Sequence, residues 1–98
     1  IQTMNNLVDL FENSIETVKA NGNLSADQKA AYVANLERAA LMPMYMRVYN
    51  AKRYGMDEEN VKKLATEWVE LAEKYGVQKT GENAALTIEA FKIKYGVG

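Results

Sequence analysis

Between Met4 and Val18, apolar residues fall at Met4, Leu7, Val8, Phe11, Ile15 and Val18, the three-and-four spacing of one helical face, with Asp9, Glu12, Glu16 and Lys19 opposite. The pattern predicts a first helix over 4–20. Asn21-Gly22-Asn23 reads as its stop, because Gly and Asn accept the left-handed conformation that satisfies a helix's last carbonyls. Ser25-Ala26-Asp27-Gln28 has the form of a capping box, and Asp27 adds negative charge where the helix dipole favours it. A second helix is expected from Ala26 to Tyr54. Pro43 lies inside it, lacks an N–H and crowds the carbonyl of Ala39, so a kink or break is expected there.

Gly55 closes that segment and Asp57 caps a third helix with the stripe Val61, Leu64, Ala65, Trp68, Leu71, Ala72 and Tyr75. Glu58/Lys62 and Glu59/Lys63 are spaced to pair on its wet side. Gly76 ends this helix with Val77 placed for the apolar contact of a Schellman motif. A loop, Gln78-Lys79-Thr80-Gly81, then leads to a last helix over 82–95 with the stripe Ala84, Ile88, Phe91 and Tyr95. Ile93, Tyr95 and Val97 also alternate, which leaves a terminal strand as a second reading. Arg53-Tyr54-Gly55-Met56, Lys74-Tyr75-Gly76-Val77 and Lys94-Tyr95-Gly96-Val97 end three segments alike. Each supplies a cation, a glycine and an apolar residue, so capping accounts for the recurrence without an internal repeat.

The fold class is therefore all-α, a single domain over 1–98 built as a bundle of about four helices, the second long and kinked or broken at Pro43. The 98 residues, 48% of them hydrophobic, suffice to bury roughly 60–70% of the unfolded chain's surface, so a monomer should fold without staples. The listless charge pattern of 12 basic and 13 acidic residues mixed along the chain gives no footprint for nucleic acid or an anionic membrane. No stretch approaches the ~20 apolar residues of a bilayer span. The start at Ile1 suggests a piece of a longer polypeptide or a processed product.

Chemistry is constrained by what the composition omits. Cysteine and histidine are both absent, which removes thiolate sites, the commonest general base and the commonest transition-metal ligand. Glu12/Glu16 and Glu67/Glu70/Glu73 share helix faces, but mostly on the polar side, where carboxylates are solvated. Ser25 is used as a cap and Ser14 has no base to activate it. The expectation is no catalytic residue, no metal and no cofactor.

One stretch stands apart. From Ala39 to Tyr49 every position is apolar or aromatic except Arg47, so a helix there has no polar face and must be covered all round. Enclosure by the other helices is one explanation. A contact surface is the second, with Met42, Tyr45, Met46 and Tyr49 as candidate interface residues and Leu36, Ala40 and Met44 inside. A small-ligand groove opened at Pro43, with Arg47 as its polar group, is the third. Trp68 lies mid-stripe and is assigned to the core rather than to a sugar-stacking platform.

Leu10-Phe11-Glu12, then Leu36-Glu37-Arg38-Ala39-Ala40-Leu41-Met42-Pro43 with Tyr45 after it, then Trp68 to Val77, occur in an order that resembles a known helical segment. It is the segment that follows the catalytic-type barrel in uncharacterised bacterial glycoside-hydrolase-like proteins related to α-glucuronidases. The resemblance implies a non-catalytic C-terminal accessory module that packs on a carbohydrate-active barrel in a secreted or periplasmic protein. Catalytic residues in such proteins belong to the barrel, and none carries over. The alternative is a free-standing helical domain that binds a protein partner through the Ala39–Tyr49 surface.

Overall fold

The chain is described by a computed structural model over residues 2–98; Ile1, whose position suggested a cut or processed end, lies outside the described residues. Four α-helices, α1 Gln2–Ala20, α2 Ala26–Arg53, α3 Glu58–Lys74 and α4 Ile88–Tyr95, make an all-α architecture. A small antiparallel ribbon interrupts it. Its strands are β1 Lys79–Thr80 and β2 Leu86–Thr87, with Lys79 opposite Thr87 and Thr80 opposite Leu86. The long helix α2 is the spine: α1 folds back along it, α3 packs on it, and α4 packs on α3 and the ribbon. The result is elongated, 43 × 27 × 24 Å.

Side-chain size explains where the core sits. Val48 and Ala51 of α2 meet Val61, Ala65, Trp68, Val69 and Ala72 of α3 and Phe91 and Tyr95 of α4. Alanines at 51, 65 and 72 let the helices approach, and the rings fill the space that remains: Trp68 lies 4.5 Å from Phe91, and Phe91 4.6 Å from Tyr95, between centroids. α1 stands outside this cluster and buries Val8 against α2.

The caps are made as their residues dictate. Ser25 Oγ accepts from the Gln28 N–H at 3.1 Å while Gln28 Oε1 accepts from the Ser25 N–H at 2.9 Å, two free helix-end donors satisfied reciprocally. Asp57 Oδ2 accepts from the Asn60 N–H. Gly55, Gly76 and Gly96 have φ of 84°, 71° and 73°, and behind them the N–H groups of Met56, Val77 and Val97 donate to Ala51, Ala72 and Lys92, each at 2.9 Å. Those are the long-range bonds of the Schellman motif. Met56, Val77 and Val97 then pack against the core, which is why the tyrosine-glycine endings recur.

Several expectations need correction. Of the kink or break expected at Pro43, the break does not occur: α2 is one continuous helix through this buried proline. The α1 end is not a left-handed glycine, since Gly22 is absent from the positive-φ residues. The Asn21 side chain instead accepts from the Asn23 N–H at 2.9 Å, an Asx turn, and Lys29 Nζ donates to the Lys19 carbonyl.

The last helix begins at Ile88, not Glu82, because Thr87 caps it by accepting from the Ala90 N–H at 3.1 Å. Before it, Lys79–Thr80 and Leu86–Thr87 pair as the ribbon around a single 3-10 turn at Glu82–Ala84, and no strand forms over 93–97. Glu58/Lys62 and Glu59/Lys63 make no ion pair. The pairs that do form include inter-helix links, Lys74–Glu37, Arg47–Glu67 and Lys92–Glu73. Ala40 is buried as expected, but Leu36 and Met44 are only half-buried because each borders a groove.

Candidate functional site

The spacing along α2 divides its apolar run between two destinations. Ala40, Pro43, Val48 and Ala51 are buried. Ala39, Met42, Met46, Tyr49 and Arg53 follow at intervals of three, four, three and four, one stripe that faces away from the core. Ala39, Met42, Met46 and Arg53 are exposed, Met42 at 75%. Tyr32 and Asn35 extend the stripe toward the start of α2 and are exposed as well. A side-chain row with this spacing is the kind that another helix packs against.

Tyr49 of the stripe and Tyr45 beside it are half-buried. Their rings stack at 6.4 Å, and Tyr45 reaches inward to Trp68 and Phe91, each at 6.2 Å. Together with Met46, Arg53 and Lys94 they face the ribbon tip at Gly81, Glu82, Ala85 and Leu86 across a groove of about 520 Å³. Gly81 is required there on two counts: its φ is 84°, and a Cβ would come within 3.3 Å of Tyr45 Oη. Burial raises the Tyr45 pKa above its ordinary value, and Tyr49 and Glu82 raise it further. Of the four candidate interface residues, Tyr45, Met46 and Tyr49 line this groove and Met42 stands beyond it on the open stripe.

The ribbon tip carries unusual backbone. Asn83 and Ala84 have φ of 58° and 52°. Asparagine tolerates that conformation, but alanine is strained in it. Both residues are exposed.

Other candidates resolve differently. Arg47 turns toward α3, where its guanidinium lies 3.5 Å from Glu67 Oε2; it joins α2 to α3 and is not the polar group of the groove beside Tyr45. Trp68 is 2% exposed, and its indole N–H donates at 2.9 Å to the carbonyl of Leu41, two residues before Pro43. It is a core residue.

The carboxylates are dispersed. Glu16 pairs with Lys19, Glu67 with Arg47 and Glu73 with Lys92. Among the described residues, no three Asp, Glu, His or Cys side chains meet where a metal ion would be held. No described helix is long and apolar enough to cross a membrane.

Two features escaped sequence reasoning. One is the knot at Glu37, whose Oε1 accepts from both Tyr75 Oη and Lys74 Nζ, the latter at 3.1 Å, with the Arg38 guanidinium 4.9 Å from the Tyr75 ring. Burial alone would raise the Glu37 carboxyl, but these donors outweigh it and hold the group below its ordinary value. No local pattern links residues 37 and 75. The other is a groove of about 310 Å³ between α1, α2 and α3.

No protein-family model, no curated protein and no solved structure matches this chain.

Proposed function

We propose that the chain is a non-catalytic helical interaction module that docks on a protein partner through the outer stripe of α2, with Met42, Tyr45, Met46 and Tyr49 as the central contacts. The observation that carries this is Met42, 75% exposed in the middle of the most apolar run of the sequence. Exposed apolar side chains scattered singly are ordinary, but Met42 continues into Met46, Tyr49 and the groove beside them, and continuous patches mark contact surfaces. Methionine adapts to the shape it meets, and tyrosine offers a large amphipathic ring at low entropic cost. Met42 and Met46 lie outside the core cluster, which closes on the opposite side of α2.

A carbohydrate-active barrel is the first partner to test, given the resemblance of Leu36 to Pro43 and of Trp68 to Val77. In that form the chain is an accessory module of such a barrel; with another partner it is a free-standing adaptor. The experiment is retention of protein from a source-cell extract on the immobilised chain and on its Met42→Glu/Met46→Glu variant. The expected result is a protein retained by the first and lost by the second, with the two chains equally helical by circular dichroism. Equal retention by both, or a variant that no longer folds, contradicts the proposal.

A further inference from the structure

On the side of α2 away from the methionine stripe, three helices present one face each to a common trough. α1 contributes Val8, Phe11, Glu12 and Ile15, α2 contributes Glu37, Ala40 and Met44, and α3 contributes Glu67, Glu70, Leu71 and Lys74. The floor is apolar and the rim is acidic. Val8 and Ala40 are fully covered, whereas Phe11, Ile15, Met44 and Leu71 each retain exposure, so apolar surface remains open between α1 and α3. Three helices around one trough leave the position that a fourth would occupy in a bundle, and α4 is packed elsewhere, on α3 and the ribbon.

The rim determines what suits that position. Lys74 is committed to Glu37 and Glu67 is shared with Arg47, while Glu12 and Glu70 have no ion-pair partner among the described residues. The trough thus keeps a negative balance beside an apolar floor. From Val8 to Ile15 it is about 10 Å long at 1.5 Å per residue, two helical turns, which matches an anchor set at i, i+3, i+4 and i+7.

We infer that the trough between α1, α2 and α3 binds an amphipathic helix of a protein partner, with its apolar face on Phe11, Ile15, Met44 and Leu71 and flanking Lys or Arg beside Glu12 and Glu70. This is a second docking surface, independent of the methionine stripe. Complementary charge there sets orientation and salt dependence, and the apolar contacts supply the affinity.

The test is fluorescence anisotropy with two labelled synthetic helical peptides that share leucines at i, i+3, i+4 and i+7, one flanked by lysines and the other by glutamates. The lysine peptide should bind, weaken at least tenfold between 0.05 and 0.5 M salt, and lose tenfold or more on the exposed double substitution Glu12→Lys/Glu70→Lys. The Met42→Glu/Met46→Glu chain should bind it unchanged. Equal binding of the two peptides, no binding of the lysine peptide at millimolar concentration, or indifference to Glu12→Lys/Glu70→Lys overturns the inference. So does sedimentation showing that a second copy of the chain fills the trough. Both glutamates are exposed, so circular dichroism of the variant should match the parent chain.

Discussion

Trp68 joins the three elements of the core, and its removal should be graded rather than uniform. It is 2% exposed, it lies 4.5 Å from the Phe91 ring and 6.2 Å from Tyr45, and its indole N–H reaches the Leu41 carbonyl at 2.9 Å. Trp68→Ala deletes the largest side chain of the core and leaves a cavity between α2, α3 and α4, which costs about 3–5 kcal/mol. Against a total stability of about 5–15 kcal/mol, that is about a fifth of the fold's stability or more. Each kcal/mol moves the midpoint of a domain this size by about 4–8 °C, so the melting temperature should fall by about 12 °C or more.

Trp68→Phe keeps a ring against Phe91 but loses the hydrogen bond, worth about 0.5–1.5 kcal/mol, and part of the volume, for a total of about 1–3 kcal/mol. The assay is urea unfolding followed by far-ultraviolet circular dichroism, since the chain's single tryptophan is the residue replaced. A Trp68→Ala cost below about 1 kcal/mol, or equal costs for Phe and Ala, would refute the reasoning.

Three further outcomes follow from buried or strained groups. Tyr95 Oη is buried without a partner among the described residues, and burial, with smaller contributions from Tyr45 and Tyr49, raises its pKa to about 12. A raised folded value means that stability is complete below the ordinary value of 10.0 and drains as pH rises toward 12. Tyr95→Phe should therefore be neutral or stabilising by about 1 kcal/mol at pH 7, and should shift alkaline unfolding to higher pH, read by circular dichroism. Glu37 is lowered below 4.5 in the fold, so its contribution is present above that value and lost as pH falls further; Glu37→Gln should flatten the dependence of the urea midpoint on pH between 5 and 3. Ala84 carries a φ of 52°, a strain of about 1–2 kcal/mol, partly offset for glycine by about 0.4–1 kcal/mol of unfolded-state entropy. Ala84→Gly should raise stability by about 0.5–1 kcal/mol in urea unfolding, and a loss would contradict the strained loop.

The sequence carries local rules well and distant ones poorly. The Ser25 box, the Asp57 cap and the three tyrosine-glycine endings were legible because each is settled within six residues. The α3 stripe was legible from its period, and it places Trp68 correctly. At Pro43 the long second helix is legible from the capping signals at its two ends, and it continues through the buried proline without a break. The last helix was begun too early because Glu82 to Ala85 suits a helix locally, while Thr87 supplies the cap and the pairing of residues 79–80 with 86–87 consumes the segment before it.

The candidate contact residues were visible as an apolar run without a polar face, but which of them face solvent depends on α4 packing on α3 and leaving one side of α2 bare. The acidic trough and the Glu37 knot each join residues more than thirty positions apart. No periodicity announces them.

The claim that the outer stripe of α2 is surplus to the fold and available to a partner is tested most directly by the unfolding free energy of the Met42→Glu/Met46→Glu chain in urea. Both residues are exposed, and surface substitutions usually change stability by within about half a kcal/mol each. The account predicts a change of no more than about 1 kcal/mol for the pair. A loss above about 3 kcal/mol, the size that follows burying charge or opening a core, would place these side chains inside the fold and contradict it.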